Sequence, residues 1–135
     1  MNIKELLNYS TIHYPLIEWP RINHELDAAY PSFGIKDNPY GYQIKNSARH
    51  FAGGAMGAKY YGEDKTRELG QRKEAWDKIV HKNMQDLNDD IKIDFKNNER
   101  GINYIKQNPQ ATRQDIIKQA IQAAIDNYIE DYPIK

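Results

Sequence analysis

The chain has 135 residues, which suits one domain and leaves little room for two. Its 19 Lys and Arg balance its 19 Asp and Glu, and a net charge of zero argues against a protein built to coat nucleic acid or an anionic membrane. Cysteine is absent, which excludes disulfides, thiolate catalysis and thiolate metal sites.

The N-terminal third is irregular in pattern. Pro15, Pro20, Pro31 and Pro39 all fall before Asn46, together with Tyr9, Tyr14, Tyr30, Tyr40 and Tyr42. The opening residues, with Glu5, Asn8, His13 and Glu18, do not read as a signal peptide. Short helices are expected at Ile3–Leu7 and near Ile22–Ala29. Between them Tyr14–Trp19 is strand-like and closed by Pro20, and Pro31–Gly41 reads as a loop.

From Asn46 onward the apolar spacing is helical. Ser47 is the expected cap of a helix to about Tyr61, stopped by Gly62. A second helix is expected from Asp64 to Leu87, with Trp76, Ile79, Val80, Met84 and Leu87 as its apolar face. Asn88-Asp89-Asp90 then reads as a turn, and Asp94 as the cap of a third helix that ends before Pro109. The last helix opens at Thr112, with Asp115 three residues on as its capping-box partner. Ile116, Ile117, Ala120, Ile121, Ala124, Ile125 and Tyr128 form its apolar stripe. The expected fold is all-α. Residues 1–46 form a Pro/Tyr-rich wrap, and residues 47–135 form a core of four main helices. No segment is apolar and long enough to span a membrane as a helix.

Three groups of residues stand out chemically. In the run from Arg49 to Ala58, Gly53, Gly54 and Gly57 lie inside a helix, where each glycine costs about 1 kcal/mol relative to alanine. His50 heads that stripe, so it lies beside either a neighbouring backbone or a ligand. Close helix packing with a hydrogen-bonded core histidine is the structural alternative. In the second group Glu74, Asp77 and His81 share one side of a helix, where they can hold a cation or orient a general base. A solvated flank paired with Lys73 and Lys78 explains them equally. The third group is Asp90, Asp94, Asn97, Asn98 and Gly101. Capping explains Asp94, but not two asparagines and a glycine in a helix interior. A glycine-bearing helix facing the His50 helix would bring His50, Glu74 and Asn98 together. Equal helical arms about the turn at Gly62 also place His50 level with Glu74.

Some chemistries find no support in the sequence. There is no phosphate-binding glycine loop, no dinucleotide fingerprint, no His-Glu-x-x-His and no Gly-x-Ser-x-Gly. Ser10, Ser32 and Ser47 are the only serines, and none has a nucleophile-like context.

The order His50, Gly/Ala-rich helix, Tyr61-Gly62, Leu69-Gly70, Lys73-Glu74, Asp77, acidic turn, Asp94, Asn98 and Gly101 resembles the small helical C-terminal domains of bacterial polymorphic toxins. It also resembles a set of small bacterial envelope lipoproteins, although the lipoprotein cysteine is missing. The resemblance implies a bacterial or phage-related effector acting on a competitor or on the cell envelope. The expected activity is a hydrolase using His50, Glu74, Asp77 and Asn98 on an envelope or small-molecule substrate. Arg49, Gly54 and Asp94 would line the substrate, and no metal or cofactor is assigned. The expected partner is a cognate immunity or target protein, with no nucleic acid, and the expected route is delivery to the periplasm by a secretion system. The competing expectation is a binding module without catalysis, such as a phage-encoded inhibitor or accessory protein, with the Tyr-rich segment as its contact surface. A pocket holding His50 with Glu74 or Asp77 would favour the enzyme, and a sealed helix contact would favour the binder.

Overall fold

Pro20 begins a helix where the sequence suggested the end of a strand. Its fixed φ and missing N–H suit the first turn, where donors have no intrahelical partner. In the computed structural model, helix α1 accordingly runs Trp19–Ala29. The structure describes residues 18–34, 41–80 and 84–133, and for 73–80 and 84–90 it describes the backbone alone. The expected helix at Ile3–Leu7 and most of the run from Tyr14 lie outside the described residues.

Helix α1 buries Ile22 and Leu26 almost completely. It continues into a 3-10 turn, Tyr30–Phe33, closed by Gly34 in the left-handed region at φ 72°. The Gly34 N–H then reaches the carbonyls of Tyr30 and Pro31, as a helix-ending glycine does.

Helix α2 is Gly41–Tyr61 and begins well ahead of a helix capped by Ser47. The extension follows from burial. Ile44, Ala48, Phe51 and Ala55 recur on one face, and all are within the core. Ser47 therefore lies inside the helix with its hydroxyl buried and without a hydrogen-bond partner. Gly62, at φ 91°, stops α2 as expected, and α3 (Glu63–Val80) follows at once. The Thr66 hydroxyl donates to the Gly62 carbonyl at 2.7 Å, which ties down that corner.

Helix α4 runs Met84–Gln107. Asn88-Asp89-Asp90 is therefore helical, and Asp94 sits in the helix interior, a correction on both points. Turn-forming side chains are a local preference, and here tertiary packing overrides it. The register that buries Ile91 against the rest of the molecule also buries Asp94, Asn97, Ile102 and Ile105. Helix α4 ends ahead of Pro109, and Thr112 opens α5 (Arg113–Asp126) with the expected capping box. A short helix, α6 (Tyr128–Asp131), follows.

Among the described residues every regular element is helical, so the fold is all-α. Helix α2 is its axis, packing most extensively on α4 and next on α5. One hydrophobic core joins Ile22 and Leu26 of α1, Phe51 and Met56 of α2, Ile105 of α4 and Ile116 and Ile121 of α5. No described helix is long and apolar enough to cross a membrane.

Candidate functional site: the His50 seam between two helices

Helices α2 and α4 touch backbone to backbone. A Cβ on Gly54 would overlap the Asn98 carbonyl oxygen and lie 3.0 Å from its carbon. A Cβ on Gly101 would overlap the Phe51 carbonyl oxygen and lie 2.8 Å from the Ala55 nitrogen. The two glycines therefore open the same crossing from opposite sides. Gly57 does the same toward α3, where its Cβ would meet the Thr66 side chain at 2.6 Å. Gly53 is buried as well. At Gly54 and Gly57 the glycine stripe thus faces neighbouring helices.

This close crossing places His50 against α4. The ring is 3% exposed, with Nε2 3.3 Å from Asp94 Oδ1 and Nδ1 3.0 Å from the Asn98 carboxamide. The orientation of that amide follows from its surroundings. Its inner end faces two carbonyl oxygens that can only accept, so the end must be the nitrogen. It donates to the His50 carbonyl at 3.1 Å, to the Asp94 carbonyl at 3.3 Å and to His50 Nδ1 at 3.0 Å. The proton of a neutral ring then resides on Nε2, which faces the Asp94 carboxylate. Asp94 Oδ1 also accepts from Asn46 Nδ2 at 3.1 Å. The edge of Trp19 from α1 closes over the imidazole, with ring centroids 5.5 Å apart.

The structure therefore brings His50, Asp94 and Asn98 into one buried polar seam, with Gly54 supplying the clearance that lets Asn98 approach. Asp94 accepts a hydrogen bond from Asn46 and faces the His50 ring within this seam, and it does not cap a helix. Arg49 is half-buried on another side of α2. The side chains of Glu74 and Asp77, and residue His81, lie outside the described residues. Two participants, Asn46 and Trp19, are not among the residues singled out from the sequence, whereas the neighbouring Asn97 is. Asn97 is fully buried and donates from Nδ2 to the Ile93 carbonyl at 3.1 Å. Its side-chain oxygen accepts from Arg100, whose fork grips Asp131 at 2.6 and 3.0 Å. The pair of adjacent asparagines was the available signal for both seams, since each is a poor helix former placed where it finds a partner.

A histidine that serves as a general base keeps one ring nitrogen for the reacting proton. Here one nitrogen meets a carboxylate and the other an amide, and the ring is enclosed. Among the described residues no group of three or more His, Asp or Glu side chains is placed to hold a metal ion. No protein-family model matches the chain, and no curated protein or solved structure matches it either.

Proposed function

We propose that this chain is a non-catalytic protein-binding domain of a bacterial or phage-related effector system, an inhibitor or accessory protein. One observation supports the reading above others: both nitrogens of His50 are engaged by α4 in a contact that is 3% exposed. In this reading His50, Asp94, Asn98 and the facing glycines fix the register of α2 on α4, and the exposed residues of the domain do its work. The test is expression in the bacterial cytoplasm and, with an added export signal, in the periplasm. Growth is expected to continue in both, and cross-linking followed by purification is expected to yield a stoichiometric protein partner. Growth arrest that His50→Asn abolishes at an unchanged melting temperature would overturn the reading.

A hydrolase-type effector is the second reading, and the imidazole–carboxylate pair of His50 and Asp94 favours it. In that mechanism Asp94 orients the ring and stabilises its charged form, with Asn46 holding the carboxylate. Asn98 must swing away from Nδ1 to expose a base. Glu74 and Asp77 would complete the site, and a cognate immunity protein would be its partner. The same expression experiment separates the two, because this reading requires the growth arrest that the first excludes.

A further inference from the structure

We infer that the face of α2 carrying Tyr42, Lys45 and Arg49 receives an acidic segment of a partner protein. The inference rests on the binding-domain reading and names the chemistry of its contact. The three residues stand at i, i+3 and i+7, so they share one side of the helix.

Arg49 is the anomaly that points to a ligand. The other described arginines all have carboxylate partners: Arg21 has Glu18 and Glu25, Arg67 has Glu63 and Glu99, and Arg72 has Glu68. Arg100 has Asp131, and Arg113 has Glu18 and Glu25. Arg49 is half-buried and makes no hydrogen bond or ion pair with another described residue. Its charge is felt at the buried Tyr30 phenol, as is that of Asp27, an exposed carboxylate of α1 beyond ion-pair distance of Arg49. Lys45 lies on the same side with its ammonium 5.0 Å over the Tyr30 ring, and it too has no carboxylate partner among the described residues. Among the described residues the face thus sets two cations against one carboxylate, in a chain whose total charge is zero.

Tyr42 completes the surface. It is 74% exposed one turn before Lys45, and exposed tyrosine is a favoured anchor at protein interfaces. A guanidinium offers a planar fork of donors that matches a carboxylate two bonds at a time. The matching partner therefore presents a carboxylate to Arg49 and an apolar side chain to Tyr42. Nucleic acid is the less favoured polyanion, because the chain as a whole has no positive excess to track a phosphate backbone.

The probe is a hexapeptide of alternating glutamate and leucine. The control has glutamine in place of glutamate, and a thymidine hexanucleotide of DNA reports on phosphate. Titrations follow the Arg49 Nε–Hε signal and the backbone amides by NMR. The glutamate peptide is expected to shift Arg49 and residues 42–49, and Arg49→Gln is expected to weaken binding at least about tenfold at an unchanged melting temperature. Absence of binding, equal binding of the glutamine peptide, shifts confined to other helices, or tighter binding of the oligonucleotide would each overturn the inference. A stoichiometric cellular partner that stays bound to the Arg49→Gln chain would also overturn it, and would leave the binding-domain reading standing.

Discussion

At the scale of single residues, the opening of α5 shows how a local pattern becomes stability. Thr112 Oγ1 accepts from the Asp115 N–H at 3.1 Å, and Asp115 Oδ2 accepts from the Thr112 N–H at 3.0 Å. These bonds satisfy two donors that the helix start would otherwise leave open. Thr112→Ala is expected to cost about 1 kcal/mol, measured by urea unfolding at neutral pH. The Thr112 backbone N–H, with its hydroxyl second, holds the Asp115 carboxyl below its ordinary range. A carboxyl with a depressed folded-state pKa contributes stability above its unfolded value and loses it as the pH falls through the folded one. The stability gap between the native chain and Asp115→Asn should therefore be present at about pH 7 and close toward about pH 2. A gap independent of pH would mean that the carboxylate's charge plays no part in the cap. This box was legible in the sequence because both partners lie within one turn. The pairing of Asp94 with His50 was not, because 44 positions separate the two residues and a free-standing Asp reads as a cap.

At the scale of elements, the α2–α4 crossing inverts the usual meaning of glycine. Alanine is normally favoured over glycine in a helix interior by about 1 kcal/mol. At Gly54 and Gly101 the added methyl would strike main-chain atoms of the facing helix, which cannot turn aside as a side chain can. Gly54→Ala and Gly101→Ala are each expected to destabilise by about 1–3 kcal/mol or more, since the helices must separate to admit the methyl. One separation relieves both clashes, so the double variant should cost less than the sum of the two. Gly70→Ala provides the contrast. Its methyl would sit 3.3 Å from the Asn98 carboxamide and 3.9 Å from the Phe95 ring, so it meets side-chain atoms and overlaps no main chain. It is expected to cost less than either Gly54→Ala or Gly101→Ala in thermal melts. Equal losses at all three sites would show that helix conformation, and not the crossing, sets the cost. The glycine stripe could be read from the sequence because three glycines in one helix need a neighbour at close range. The start of α2 could not. Ser47 is a strong local capping signal, and only the burial of Ile44 and Ala48 in the assembled core shows that the helix has already begun.

At the scale of the whole molecule, charged clamps bind the outer helices to the α2–α4–α5 centre. Asp131 of α6 is 6% exposed and is held by both arms of Arg100 from α4. Helix α1 is held from α5 by Arg113, which reaches Glu25 at 2.6 Å and Glu18 at 3.0 Å and lies over the Tyr60 ring at 5.7 Å. Burial works against the Arg113 charge, yet its bonds to Glu25 and Glu18 outweigh that and keep the guanidinium more firmly protonated than usual. The clamp guards more than a surface, because α1 carries Trp19 over His50 and inserts Ile22 and Leu26 into the core. Removing Arg113 leaves Glu18, 6% exposed, with Arg21 alone at 3.9 Å, a long contact to offset its burial. Arg113→Gln should therefore loosen α1 locally before the centre unfolds. Hydrogen exchange read by mass spectrometry is expected to quicken at least about tenfold across residues 19–29, with α4 and α5 changing much less. The His50 imidazole signal should move with it, because the Trp19 ring no longer covers the seam. If exchange rises evenly over every helix, α1 folds and unfolds with the centre as one unit, and the clamp acts on global stability alone.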